Sequence, residues 1–254
     1  MLFPERNPCI PSGRSSAISR HHVMRICVAF SIGLFFLSGA EGFGRIAEAG
    51  RSNLPRILLF ADDLWGANWN IKDEKPNIKE KFLSYGWKLD LVSVKNEVIP
   101  CGFARKATGL EILKMDRLVS DIVSVEEYDA VVVLPGQSHR NLINDQKTLE
   151  IIRNADREGI VLAGFCRGVR LLSAAGVVRD RRITGHPDYA EEYEKAGAEF
   201  IGFKDLEGKS DAPPPIVDGN LITTVRSKFY REEVCEAIRT AVEGMYRKRE
   251  GNNV

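Results

Sequence analysis

The 254 residues suffice for one large domain or two small ones, and 44% hydrophobic with 28% charged residues is an ordinary globular balance that excludes collagen-like, disordered and coiled-coil chains. The formal charge is +1, yet the first 40 residues hold Arg6, Arg14, Arg20 and Arg25 against Glu5 alone, so the remainder is slightly acidic. No basic footprint for nucleic acid remains, and that partner class is set aside.

The first element is a targeting signal rather than a structural one. Met24-Arg25, an apolar run over 26–37 and then Ser38-Gly39-Ala40 follow the order of a secretory signal: charged start, apolar middle, small-x-small end. The run is too short for a bilayer core, which needs about 20 residues. The expected organisation is therefore a cleaved signal over 1–40, with Met24 as an alternative start, then a linker over 41–55 and one domain over 56–248. Export to the periplasm or the exterior follows, with no stable membrane insertion after cleavage. The rivals are an uncleaved N-terminal segment that anchors the chain to a membrane, and a buried apolar segment. Cys27 lies inside the run, not at its end where a lipid-modified cysteine would stand. With the signal gone, Cys101, Cys166 and Cys235 remain, and an odd number in an oxidising compartment leaves at least one free thiol. A Cys101–Cys235 bridge and three separate buried thiols are both open.

Beyond the linker, short apolar runs alternate with helix-like segments. Residues 56–61 form a strand of the kind buried on both faces, 77–85 a helix ending at Gly86, and 88–94 the next strand. The pattern repeats with a strand over 130–134, a helix over 145–158 carrying Leu149, Ile152 and Ala155 on one face, and a strand over 160–164. Residues 215–223 read as a hairpin turning at Asp218-Gly219-Asn220, and 230–246 as a closing helix. The charged, Pro-containing stretch 204–215 is a surface loop. A right-handed, mostly parallel sheet with helices on both faces is the economical architecture.

The chemistry concentrates in Gly164-Phe165-Cys166-Arg167-Gly168, between that strand and a helical segment over 169–175. Small residues around a cysteine at such a junction allow the sharp turn of a nucleophile elbow. The helix end would favour thiolate at Cys166, and Arg167 would add positive charge if it folds back. The plainer alternative is a buried cysteine at a tight junction. In Leu134-Pro135-Gly136-Gln137-Ser138 another strand ends in a Gly turn, which either presents N–H groups to an oxyanion or simply leads into a helix.

Glu127-Tyr128-Asp129-Ala130-Val131-Val132-Val133-Leu134-Pro135-Gly136, the Cys166 motif, Leu171-Leu172-Ser173-Ala174-Ala175-Gly176-Val177-Val178, Thr184-Gly185-His186-Pro187 and Val217-Asp218-Gly219-Asn220-Leu221-Ile222-Thr223 together resemble the ThiJ/PfpI family, which includes deglycase, protease-like and glyoxalase-like members. The resemblance implies a flavodoxin-like three-layer α/β sandwich of the class I glutamine amidotransferase type. It puts the reactive cysteine at Cys166, the oxyanion loop at Gly136 and a nearby histidine at His186. Three features depart from the family. Arg167 stands where the protease-like branch has His, which makes peptidase activity less expected. Gln137 replaces a second Gly, keeping a backbone donor but bringing an amide to the pocket mouth. The family carboxylate near the first helix has four candidates, Asp62, Asp63, Asp73 and Glu74, of which Glu74 is the first choice and Asp63 the second. Trp65 and Trp69 either wall a pocket or pack.

The resemblance thus implies a Cys166-dependent glyoxalase- or deglycase-like hydrolase of small electrophilic carbonyl compounds, with His186 or Glu74 moving protons and Gly136, Gln137 and Arg167 lining the substrate. It also implies a homodimer. The alternative is a non-enzymatic redox-sensing or protein-protective factor using the same thiol. Without a metal motif, P-loop or dinucleotide fingerprint, no cofactor is expected.

Overall fold

The structure is a computed structural model that describes residues 54–204 and 210–251. The expected signal, nearly all of the linker, Cys9 and Cys27 lie outside the described residues. From the amino end the chain forms β1 (Arg56–Phe60), α1 (Ile78–Ser84), β2 (Lys88–Ser93), β3 (Glu97–Val98), α2 (Gly102–Thr108), β4 (Leu113–Lys114) and β5 (Arg117–Leu118). It continues through β6 (Ala130–Val133), α3 (Arg140–Ile143), α4 (Gln146–Arg157), β7 (Val161–Phe165) and α5 (Val169–Ala175). Last come β8 (Arg182–Ile183), α6 (Ala190–Lys195), β9 (Glu199–Phe200), β10 (Ile216–Asp218), β11 (Leu221–Thr224) and α7 (Ser227–Gly251).

The central sheet has seven strands in the order β10-β11-β7-β6-β1-β2-β5, and every pairing is parallel except the β10–β11 hairpin. Side chains alternate across it, as the pleat requires. Leu58, Phe60, Val131, Val133 and Leu162 join a core with α4 and α5 on one face. Ile57, Leu59, Ala130, Val132, Ala163 and Phe165 join another with α1 and α7 on the opposite face. Each fully buried aliphatic side chain contributes about 1.5–3 kcal/mol relative to exposure, so the continuous apolar runs of β1, β6 and β7 suit only a sheet covered on both faces. This is the expected three-layer α/β architecture.

The closing helix starts earlier than its periodicity indicates, at Ser227, and Tyr230, at φ −135° and ψ 37°, breaks its first turn. The segments between β2 and β6 and between α5 and β10 hold α2, α6 and several two-residue strands, which are too short for a periodic signal. All three cysteines of the described residues are free and buried, so the Cys101–Cys235 bridge is not formed. Cys101 instead caps α2, its sulfur accepting the Ala104 N–H at 3.3 Å, while Cys235, on α7, packs into the core between that helix and the sheet. No helix among the described residues is long and apolar enough to cross a membrane.

Candidate active site

At the carboxyl end of β7 the chain reverses sharply at Cys166, whose φ of 56° lies in the left-handed region that a side-chain-bearing residue rarely occupies. The flanking glycines make the reversal possible. A methyl at Gly168 would stand 3.0 Å from the Val133 carbonyl oxygen and 3.1 Å from that of Leu134, and one at Gly164 would lie 3.2 Å from the Val169 Cα. The elbow therefore rests directly on the end of β6, and the thiol is buried, with 9% of the residue exposed.

β6 and β7 run in parallel with Val133 opposite Gly164, so the turn after β6 emerges beside Cys166. The Gly66 N–H donates to the Pro135 carbonyl at 2.7 Å, and the Gln137 N–H donates to the Leu64 carbonyl at 2.8 Å. That pairing crowds position 136, where a methyl would meet the Leu64 carbonyl oxygen at 3.2 Å. It also corrects the expectation for Gln137: its backbone donor is spent on Leu64, and its side chain is exposed. The Gly136 N–H has no protein acceptor among the described residues. His139 braces the turn from behind, its Nε2 3.0 Å from the Leu134 carbonyl oxygen, and burial holds its pKa below the usual imidazole value.

His186 follows β8, which is held against the sheet edge where the Thr184 N–H donates to the Thr223 hydroxyl at 2.9 Å and the Arg182 N–H to Asp218 at 2.8 Å. The imidazole is buried, with Nδ1 3.3 Å from both the backbone N–H and a carboxylate oxygen of Asp188. The ring of Tyr189 meets it edge-on, with centroids 6.0 Å apart, and carries the Arg170 guanidinium 4.1 Å above it. Burial, then the positive charge of Arg167, hold His186 below its ordinary pKa, so it is neutral near pH 7. No hydrogen bond joins it to Cys166.

The electrostatics of the thiol differ from the expectation. Burial pushes Cys166 up, and this outweighs the opposing Arg167 charge, the Arg167 N–H bonded to the sulfur and the Arg226 charge. The short α5 begins three residues after Cys166, so its end does not restore a thiolate. Arg167 does fold back, its Nη2 3.5 Å from Asp188.

None of the four acidic candidates bonds to the thiol. Glu74, the first choice, is exposed on the loop before α1 and makes no hydrogen bond to Cys166. Asp62 is buried and accepts the N–H groups of Asn141 and Leu142, so it serves as the cap of α3. Asp63 pairs with Lys95 and the Ile99 N–H, which together outweigh its burial and hold it below the usual carboxylate range. Asp73 pairs with Arg231 of α7 at 2.7 Å, tying the loop down. Trp65 and Trp69 are buried in the core on the α7 side. Asp188 and Arg226 had escaped the sequence reading, although His186-Pro187-Asp188 places a carboxylate two residues past the imidazole and Arg226 follows β11. Among the described residues no group of three His, Cys, Asp or Glu is placed to hold a metal ion.

Residues 77–237 match the sequence model of the DJ-1/PfpI family. A deglycase of Pyrococcus horikoshii is 32% identical over 112 residues, 44% of this chain and 61% of that protein. A deglycase of Thermococcus kodakarensis is 30% identical over 132 residues, 51% of this chain and 73% of that protein. The chain spans less than two thirds of the Pyrococcus horikoshii relative's length. Among solved structures, a ThiJ/PfpI domain protein from Brachyspira murdochii superposes with a TM-score of 0.59 at 18% identity, covering 77% of this chain and 99% of the other. Drosophila melanogaster DJ-1beta does so with a TM-score of 0.56 at 16% identity, covering 76% and 98%. At these identities the structural likeness is one of fold.

Proposed function

Because the chain belongs to the DJ-1/PfpI family, we propose that it is a Cys166-dependent hydrolase of the glyoxalase or deglycase type, acting on small electrophilic carbonyl compounds. The observation that carries this reading is the strained elbow: Cys166 is held at φ 56° on the carboxyl edge of the sheet, beside a Gly136 N–H without an acceptor. Backbone strain at a thiol beside an open donor serves acyl or carbonyl chemistry better than it serves packing.

In a 2-oxoaldehyde the sulfur attacks the aldehyde carbon. The S–C bond forms, the carbonyl electron pair moves onto oxygen, and the thiol proton passes to neutral His186, whose Nδ1–H would then donate to Asp188. The Gly136 N–H stabilises the oxyanion, joined by the Arg167 N–H once it leaves the sulfur. His186 then gives the thiol proton to the neighbouring ketone oxygen and, neutral again, moves the aldehyde hydrogen as a proton to the ketone carbon while the oxyanion re-forms a carbonyl, which leaves the thioester of a 2-hydroxy acid. Water then cleaves it to a 2-hydroxy acid and the free thiol, so the net change is addition of one water. The Cys166→Ala variant is expected to lose at least about a hundredfold in turnover of methylglyoxal. Unchanged turnover relative to an active wild type would remove the assignment.

A peroxide-sensing role is supported less well, since it needs an exposed thiol of low pKa and Cys166 is buried and pushed the other way. Export belongs to this proposal on the strength of the 24–40 signal pattern, and mass spectrometry of the secreted chain would find its first residue near 41. A homodimer is proposed from family resemblance, and sedimentation would measure it.

A further inference from the structure

We propose that Asp188 decides which nitrogen of His186 carries the proton: its carboxylate, held by Arg167, places that proton on Nδ1 and leaves Nε2 as the base. The proposal rests on His186 taking the thiol proton and adds the positioning residue that enables it to do so.

The arrangement begins with Pro187. As the first residue of the short turn Pro187–Tyr189 it needs no N–H partner, and it holds His186 extended, at φ −73° and ψ 124°, as residues before proline are. The imidazole then lies where a capping side chain would, with Nδ1 3.3 Å from the backbone nitrogen of Asp188. The Asp188 carboxylate turns back to the same atom, its Oδ2 also 3.3 Å from Nδ1. A neutral imidazole nitrogen either accepts a hydrogen bond or donates one, so the two contacts compete and the stronger fixes the tautomer.

The carboxylate is the stronger partner. A hydrogen bond to an ionised acceptor is roughly twice as strong as one between neutral groups. Asp188 is exposed, so water takes over its N–H at little cost. In the opposite tautomer, the lone pairs of Nδ1 and Oδ2 would face each other at 3.3 Å with no proton between them. Arg167 completes the set, its Nη2 3.5 Å from the same Oδ2, so a single oxygen joins the residue after the nucleophile to the imidazole. This solvated pair adds little stability, and its effect is to keep a side chain that is 54% exposed from turning to water. On the other side of the ring, Nε2 makes no hydrogen bond among the described residues and is not closed off from solvent, unlike the buried Nδ1 of His139. When the thiol reacts, the S–H bond breaks with its electron pair left on sulfur and the proton bonds to Nε2. The Nδ1–H bond to Asp188 then stabilises the imidazolium.

The test is nitrogen NMR of the full chain labelled in its histidine rings, at about pH 8 where imidazoles are neutral. His139, whose Nε2 faces the Leu134 carbonyl oxygen and so bears the proton, is the internal reference for the opposite tautomer and for an intact fold. Signals are assigned by their loss in His139→Gln and His186→Gln. Wild-type His186 is expected to carry its proton on Nδ1. Asp188→Ala, which leaves the backbone N–H as the one partner of Nδ1, should move it to Nε2, and Arg167→Gln, which releases the carboxylate, should give a mixture of the two. With the proton moved, kcat for methylglyoxal should fall at least about tenfold while KM changes little. A wild-type proton on Nε2, a proton that stays on Nδ1 in Asp188→Ala, or an unchanged kcat after it has moved overturns the proposal. The hydrolase is judged separately by Cys166→Ala. Cys166-dependent turnover with the wild-type proton on Nε2 refutes the role of Asp188 alone, whereas turnover that ignores Cys166 refutes the hydrolase whichever tautomer is found.

Discussion

Cys166 occupies a backbone conformation that costs an ordinary residue about 1–2 kcal/mol and costs glycine almost nothing. With the sulfur removed in both, Cys166→Gly is therefore expected to unfold at higher urea than Cys166→Ala, by about 1 kcal/mol. Equal midpoints would mean that the elbow holds no strain. His139 and His186 are both held below the ordinary imidazole pKa of about 6.5 by burial. The unfolded chain then binds more protons below that value than the native one, so stability falls as pH drops through about 6.5 towards the depressed native values. His139→Gln keeps an N–H for the Leu134 carbonyl and removes one titration, and its urea midpoint should change less than the wild type's between about pH 7.5 and 5. At this scale Cys166, Gly136 and His186 were legible because each sits in a short motif at the end of an apolar run. The roles of Glu74 and Gln137 were not: which acid faces a thiol, and which N–H stays free, depend on pairings such as Gln137 to Leu64 that join residues distant in sequence.

The elements around the site are secured by caps that the sequence signals only in part. α1 carries a capping box, in which the Asn77 side chain accepts the Glu80 N–H at 2.9 Å and Glu80 accepts the Asn77 N–H at 3.2 Å, and its limits matched the expected segment closely. α3 is capped from far away by Asp62, at the end of β1. Replacing that buried carboxylate with Ala strands two N–H groups and the Asn141 amide, which bonds it at 2.7 Å. Asp62→Ala should lose about 2–3 kcal/mol by urea unfolding. A loss under about 0.5 kcal/mol would show that the cap is dispensable. No local pattern reveals this cap, because the helix is four residues long and its partner lies 79 residues away. The same limit hid the two-residue strands, whose identity comes from neighbours rather than periodicity.

For the whole molecule, the buried parallel strands determine where function sits. β6, β7 and β11 end together, so residues from four separate stretches of chain, Gly136, Cys166, His186 and Arg226, meet at one carboxyl edge, where open parallel sheets hold their ligands. The layered fold was legible from the alternation of apolar runs and helices, and the sheet order was not, since the apolar runs of β1, β6 and β7 carry no mark of which strand each pairs with. The same burial that stabilises the sheet closes over the thiol and keeps it protonated, which makes a neutral neighbouring base necessary. That coupling is tested most directly by the rate of Cys166 alkylation with iodoacetamide as a function of pH, read by mass spectrometry. The rate should rise with a midpoint above the free-thiol value of about 8.5. A plateau already reached below about pH 7 would mean a resting thiolate, and would contradict a site in which His186 must take the proton.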